Sequence, residues 1–348
     1  MDELRDGFQG RVIVPQDDGY DEARTLFNAM IDKRPAVIAQ CESADDVAAA
    51  VRFARQRELP TAVRSGGHSV AGMSTVDDGI VVDVRRMKAI EVDPDARTAR
   101  CGSGLTWGEF DQATQEHGLA TTGGRVSTTG VAGFTLGGGS GWLERRCGLA
   151  CDNLIAVELV TADGEHVRAS DSENPDLFWA LHGGGGNFGV ATAFEFKLHP
   201  VGPMVMAGLM LWPGERGREV TEAMREVIES APDELAMAVV YLTGPPEEFV
   251  PPELQGQLCC GAAVFWGGEN AEDDERHIAW GRGISADMKR FASGGVYLNF
   301  IGDEGQDRVR DAFGDSYDRL AQIKAQYDPD NFFRLNQNIK PGLAAGVA

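Results

Sequence analysis

The chain of 348 residues carries 32 Lys and Arg against 54 Asp and Glu, a formal net charge of −22. With six lysines in all and no basic run, it lacks the electrostatic footprint of a nucleic-acid or anionic-membrane binder, so its partner is expected to be a small molecule. A hydrophobic content of 43% with 25% charged residues excludes a disordered or fibrous chain and allows a sizeable core.

From the N-terminus, MDELRDGFQGRV has neither the basic start nor the apolar core of a secretory signal. Residues 22–32 read as a short amphipathic helix and Pro35 to Gln40 as a buried strand. Ser43 is the expected N-cap of a helix running to about Glu58, with Asp45 and Asp46 in its first turn complementing the dipole. A strand at Thr61–Arg64 completes a β-α-β unit that ends on a glycine turn. Strands follow at 80–84 and 89–92, a helix from Trp107 to His117, and strands from Asn153 to Thr161 and Thr192 to Leu198. Beyond Pro203 come a strand at 204–212, a helix at 215–231 and strands at 235–242 and 258–265. The acidic run at 269–276 reads as a solvated helix face. Helical spacing of Val309, Phe313, Tyr317, Leu320, Ile323 and Tyr327 predicts one helix over 307–327, stopped by Asp328-Pro329.

The longest apolar stretch, Met204 to Trp212, lies between Pro203 and Pro213 and is far too short for a membrane span. A cytoplasmic protein without membrane contact is expected. The cysteines Cys41, Cys101, Cys147, Cys151, Cys259 and Cys260 form no CxxC pair, and no histidines stand at ligand spacing, which points to reduced thiols and no metal site. The acid excess also suits a surface adapted to high salt.

Glycine is the unusual residue: 44 in the chain, 19 of them between positions 101 and 200. One cluster, Gly184 to Gly189, matches G-x-G-x-x-G, but a helix-like NPDLFWAL precedes it and a strand-like VATAFEFKL follows, the reverse of a dinucleotide-binding strand-turn-helix. A compact turn is expected there instead of a nicotinamide cofactor. The remaining clusters lie at 64–69, 123–124, 130–133 and 137–141 beside Ser and Thr. They are either plain tight turns or loops that offer consecutive backbone N–H groups to a pyrophosphate without needing lysine.

The segments RSGGHS (64–69), TTGVAGFTLGGGSGW (128–142), CGLACDNLIAVELVTADG (147–164), NPDLFWALHGGGGNFGV (174–190) and YDPDNFFRLNQNI (327–339) occur in that order. Together they resemble the berberine bridge enzyme-like oxidoreductases, flavoproteins with the FAD-binding fold of the vanillyl-alcohol oxidase/PCMH group. The resemblance implies an α+β protein. A PCMH-type FAD-binding domain of two α+β subdomains would occupy 33–201, joined by the N-terminal segment 1–32 and a return segment at 327–341. A shortened antiparallel-sheet substrate domain with covering helices would occupy 202–326.

It also implies FAD as cofactor, with Arg64, Ser65, Gly66, Gly67, His68, Ser69, Thr128, Gly130, Gly133, Gly137, Gly138 and Asn153 around its pyrophosphate and flavin. Asn336 and Asn338 would bond either the cofactor or neighbouring backbone. His68 is the position that relatives join to the 8α-methyl carbon of the flavin; otherwise it caps a turn. Many relatives add a cysteine tether where this chain has Val126, so a singly tethered flavin is implied, and Cys147 and Cys151 are left as structural thiols.

The implied reaction moves hydride from a substrate C–H, of an amine, alcohol or sugar, to flavin N5, with O2 as the acceptor. Sugar-oxidising relatives place a tyrosine after a Tyr-x-Asn motif. Here the motif is Tyr297-Leu298-Asn299-Phe300, and Phe300 cannot serve as a base, which favours an amine or another substrate needing no tyrosinate, or a base elsewhere. Tyr297 and Asn299 either line the flavin or pack in a strand, and His182 is structural. The segment between Trp266 and His277 is much shorter than in relatives. This implies an open site, completed by a second copy of the chain in a homo-oligomer or left slow and broad in specificity. The alternatives are an FAD-binding protein of the same fold with a degenerate, catalytically weak substrate site, and an interaction module without flavin.

Overall fold

A computed structural model describes residues 1–202, 204–248, 250–266 and 306–342. In the N-terminal layer, α1 (Asp2–Arg5), β1 (Arg11–Ile13) and α2 (Tyr20–Arg24) precede β2 (Val37–Gln40), α3 (Ala44–Gln56), β3 (Thr61–Arg64) and β4 (Ile80–Asp83). The strands form a sheet of order β1-β2-β4-β3. Both β2 and β3 run parallel to β4, so the IVVD strand between them is buried along its whole length. Ser43 caps α3 by accepting from Asp46 N at 3.2 Å. The Asp46 carboxylate turns back to Gln9 N and Gly10 N, tying the N-terminal arm to that cap. Val47, Ala50, Val51 and Ala54 recur at helical spacing and are buried against this sheet.

The expected helix at 22–32 is shorter and earlier: α2 ends at Arg24, and Thr25 is extended. The carbonyls of Ala23 and Thr25 leave the helix pattern to accept from the Arg64 guanidinium.

A second sheet, all antiparallel, has the order β5-β6-β10-β8-β9. Its strands are β5 (Ile90–Asp93), β6 (Thr98–Gly102), β8 (Leu154–Val160), β9 (His166–Ser170) and β10 (Val190–Lys197). The short pair β7 (Leu119–Ala120) and β11 (His199–Pro200) closes beside it. Against the sheet pack α4 (Trp107–Gln115), α5 (Val131–Leu136) and α7 (Pro175–Leu181), while α6 (Glu144–Cys147) lies on the loop between α5 and β8. Trp107, Phe110 and Phe196 meet edge-on or tilted at ring centroids of 5.3–6.0 Å, forming the aromatic centre of the largest core. The strands β6 and β9 are not predicted by hydrophobic alternation. Their outward positions hold Arg100 and Arg168, which pair with Glu158 and Glu195 across the solvent face.

The third unit is an antiparallel sheet of order β12-β14-β13, from β12 (Met206–Pro213), β13 (Leu235–Thr243) and β14 (Leu258–Trp266). Helix α8 (Gly217–Ser230) covers one face through Val220, Ala223, Met224 and Val227, packed on Cys260, Ala262 and Trp266. The single helix expected over 307–327 is two, α9 (Gln306–Phe313) and α10 (Tyr317–Tyr327), parted by a tight turn in which Gly314 takes φ +48°. Tyr317, Leu320 and Ile323 of α10 join the aromatic core beside α7. No helix among the described residues is long and apolar enough to cross a membrane. No cluster of three or more His, Cys, Asp or Glu among them could hold a metal ion. All six cysteines are free thiols, and burial pushes Cys101 and Cys151 up to about 12.

Candidate functional site

The loop Arg64–Ser69 leaves the C-terminal end of β3 and runs into the segment Thr128–Gly130 that opens α5. A Cβ on Gly66 would lie 2.1 Å from Gly130 N, and one on Gly130 would lie 2.2 Å from Gly66 N. The two motifs therefore touch backbone to backbone only because both positions are glycine. Ser65 Oγ donates to Ser103 O at 2.7 Å, anchoring the loop from the second sheet. Gly67 takes φ +71°. The successive backbone N–H groups of Gly66, Gly67, His68 and Ser69 make no hydrogen bond to any described residue. Consecutive unpaired amides next to a left-handed glycine form an anion-binding concavity.

His68 sits half-buried on this loop. Its Nε2 lies 3.0 Å from Thr128 Oγ1, and its ring stacks on Phe27 at a centroid distance of 4.0 Å and an interplanar angle of 17°. Burial lowers the imidazole's pKa below its ordinary value, outweighing the hydrogen bond to Thr128, so the ring is neutral at pH 7. Ser69 Oγ accepts from Met73 N at 3.2 Å and holds the far end of the loop.

Other expected residues take different places. Arg64 is buried: its two terminal nitrogens donate to the carbonyls of Ala23 and Thr25, while its Nε, 3.5 Å from where a Cβ on Gly67 would stand, has no hydrogen-bond partner. Burial, with Arg85 nearby, lowers its pKa to about 10. Asn153 is occupied on every side: Nδ2 donates to Cys147 O and Leu149 O at 2.9 and 2.8 Å, and Oδ1 stands 2.6 Å from His199 Nε2. Gly133 on α5 has open space where a Cβ would be. Gly137 caps α5, bonding back to Gly133 O, and Gly138, at φ +102°, presents its carbonyl to Cys151 N. Val126 is exposed two residues before Thr128, and its side chain has no thiol to offer. His182 Nδ1 stands 2.7 Å from Phe178 O within its own helix region.

The return segment packs against the turn between α7 and β10. Asn336 Nδ2 donates to Gly186 O and Phe333 O, while Asn336 Oδ1 and Asn338 Oδ1 are buried without a hydrogen-bond partner. Gly184–Gly189 lies between α7 and β10 as a turn, with no strand leading into it. Its Asn187 donates to Gly184 O and Gln337 O and accepts from Ile339 N at 3.0 Å. Sequence reasoning missed the residue that holds all this together. Lys324, buried on α10, donates to Asn187 O, Asp328 Oδ2 and Phe333 O at 2.8, 2.6 and 2.9 Å. A lysine on the apolar face of a helix in a chain with six lysines was the available signal.

Buried polar atoms without a hydrogen-bond partner gather around the same loops: Ser103 Oγ beside Ser65, Trp107 Nε1 against Gly124, and Thr135 Oγ1 on α5. Orphaned donors and acceptors of this kind, with an unpaired run of amides and room at Gly133, fit a large polar anionic group such as FAD. After the glycine cluster at 137–141, Trp142 stacks on Phe265 of β14 at 5.9 Å. Arg145 donates to the carbonyls of Ile228, Ala231, Pro232 and Leu235, fastening the third sheet to the glycine-rich loop. The sheet face that carries Phe265 holds Ala207, Leu209, Leu211, Ala238, Val240, Leu242 and Ala263 by strand alternation, with no polar side chain among them. Tyr297, Asn299 and Phe300 lie outside the described residues, as does the acidic run at 269–276.

Residues 35–170 match the family model for an FAD binding domain, and residues 296–340 match the one described as berberine and berberine like. An (R)-6-hydroxynicotine oxidase of Paenarthrobacter nicotinovorans is 42% identical over 204 residues, 59% of this chain and 44% of that protein. An FAD-linked oxidoreductase of Dictyostelium discoideum is 36% identical over 242 residues, 69% of this chain and 53% of the other. The chain thus spans about half the length of the curated relatives it matches. Among solved structures, 6-hydroxy-D-nicotine oxidase from Arthrobacter nicotinovorans superposes with a TM-score of 0.77 at 26% identity, covering 96% of this chain and 98% of that one.

Proposed function

We propose that this chain, a member of the berberine bridge enzyme-like FAD-linked oxidoreductases by its family-model matches and relatives, is an oxidase that carries FAD covalently on His68 and oxidises a small amine at a C–H bond. The observation that carries this reading is the run of unpaired amides at Gly66–Ser69 beside a neutral, half-buried His68. FAD when bound supplies the redox step, accepting hydride at N5 and passing the electrons to O2.

The chain's own residues hold and orient it. The amides of Gly66, Gly67, His68 and Ser69 would take the pyrophosphate charge, with the unpaired Nε of Arg64 beside Gly67. Gly133 leaves room for a ring system to approach α5, and Gly137 and Gly138 shape the loop beyond it. Asn336 and Asn338 present unpaired carbonyl oxygens from the return segment. His68 would hold FAD through a bond from a ring nitrogen to the 8α-methyl carbon, the two atoms giving up one proton each and O2 serving as the two-electron oxidant.

In this reading the unit at 33–201, with the segments 1–32 and 327–341, carries the cofactor, and the unit at 202–326 forms the substrate side. Tyr297 and Asn299 belong to the latter by their position in the chain. The apolar face of the third sheet beside Trp142 offers no hydrogen bonds to a sugar's hydroxyls, and an amine reacting from its neutral form needs no tyrosinate. Both the sequence relative and the solved structure described above carry names for hydroxynicotine oxidation, which supports the same substrate class.

Acid precipitation of the purified yellow protein tests the tether: flavin should stay with the pellet in wild type and pass to the supernatant in His68→Ala. Flavin released from the wild type, or retained by His68→Ala, would overturn the assignment. Anaerobic bleaching of the flavin by N,N-dimethylbenzylamine but not by cellobiose is the expected substrate result.

A further inference from the structure

The chain just before the FAD-binding match holds an exposed aromatic ring with an unexplained position. Phe27 is 67% exposed, so hydrophobic burial does not hold it in place, yet it lies flat on the imidazole of His68. Its segment is laid along the Arg64–Thr75 loop by several independent contacts. Arg64 grips the carbonyls of Ala23 and Thr25. Leu26 Cδ2 fills the space beside Gly67, 3.4 Å from where a Cβ would stand. Ile31 packs over Gly72, where any Cβ would come within 2.8 Å of it. Lys33 Nζ reaches Gly72 O and Thr75 O at 3.4 and 3.5 Å. The helix expected over 22–32 is given up in favour of this arrangement, which delivers Phe27 to His68.

We infer that Phe27 is a positioning residue for the flavin tether: its ring fixes the plane of the His68 imidazole while Thr128 fixes the ring's edge. The inference rests on the proposed tether at His68. A nitrogen lone pair lies in the plane of an imidazole, so a bond to carbon forms in that plane. A ring stacked on the face leaves that approach free. It removes the rotation about χ2 that would swing the nitrogen off line, and the broad two-fold χ2 preference of histidine does not supply that constraint. The Thr128 hydroxyl, 3.0 Å from Nε2, then selects between the two ring flips. Phe27 donates no hydrogen bond, so it holds the imidazole without favouring its protonated, non-nucleophilic form.

The test is the rate of tether formation when FAD is added to protein produced without flavin, read as flavin retained after acid precipitation and as the mass increment on the His68 peptide. Phe27→Ala should bind FAD to the same occupancy but tether between about 10-fold and about 100-fold more slowly. The lower end reflects loss of one aromatic contact, and the upper end the cost of about 1 Å of misplacement. Phe27→Tyr should restore the wild-type rate, whereas Phe27→Leu, apolar but not flat, should not. Because Phe27 is exposed, an unchanged midpoint of thermal unfolding is expected in all three, which separates positioning from folding. Wild-type tethering speed in Phe27→Ala or Phe27→Leu would overturn the inference and leave the tether standing. Absence of any covalent flavin in the wild type would instead refute the tether reading, and this inference with it.

Discussion

Replacing Lys324 with Met keeps the length of the side chain and removes its ammonium from the place where three segments meet. In the folded chain both Lys324 and Asp328 side chains are 0% exposed. The Asp328 carboxylate accepts from Lys324 and also from Phe332 N and Phe333 N at 2.7 and 2.9 Å. Burial pushes the ammonium's pKa down and Asp328 pushes it back up, the balance expected of an ion pair taken out of water. Lys324→Met leaves that carboxylate without its cation, and the carbonyls of Asn187 and Phe333 without this donor. Breaking such a pair from one side costs about 3–5 kcal/mol. Against a total stability on the order of 5–15 kcal/mol, this is a large fraction. Urea unfolding followed by circular dichroism should show the midpoint falling by about 1 M or more, for a slope of about 3 kcal/mol/M. The same variant should lose flavin occupancy, because Asn336 and Asn338 hang on the segment that Lys324 pins. The double variant Lys324→Met with Asp328→Asn should recover at least half of the lost stability, since no unpaired charge stays buried. A single variant that loses less than about 1 kcal/mol, or a double variant no better than the single, would refute the reasoning.

The two-glycine contact predicts that Gly66→Ala, whose Cβ would fall 2.1 Å from Gly130 N, separates the two loops and abolishes FAD loading, measured as the flavin-to-protein absorbance ratio; full loading would count against the contact. Burial raises the pKa of Asp111 on α4 to about 7, from an ordinary value of about 4. An acid with its folded pKa raised has its full stability at low pH and loses it as pH rises through that window. Asp111→Asn should therefore match the wild type in thermal stability near pH 4, gain on it progressively up to about pH 7, and keep a constant lead above; a pH-independent difference would exclude the cause.

Much of the molecule was legible in the sequence because local chemistry decides it. The cap at Ser43, the β-α-β unit, the strand-helix-strand-strand run from 206 to 266 and the non-Rossmann setting of Gly184–Gly189 follow from hydrophobic period, capping residues and turn glycines, which act over a few positions. The ordered motifs also singled out the loops at 64–69 and 128–130, which the structure brings into contact.

The tertiary structure decided where each polar group finds its partner, which no local pattern encodes. The terminal nitrogens of Arg64 and the side-chain amide of Asn153 satisfy backbone carbonyls that the fold brings beside them. Residues 25–32 give up their helical pattern because Arg64 takes the carbonyls at its start and the segment packs along a loop some 40 positions away. The meeting of Gly66 with Gly130, of Phe27 with His68, and of Lys324 with Asn187 and Asp328 are contacts between distant stretches of chain. Hydrophobic period tells which side of an element is buried, but not which other element covers it; that choice is made only when the sheets and helices pack together.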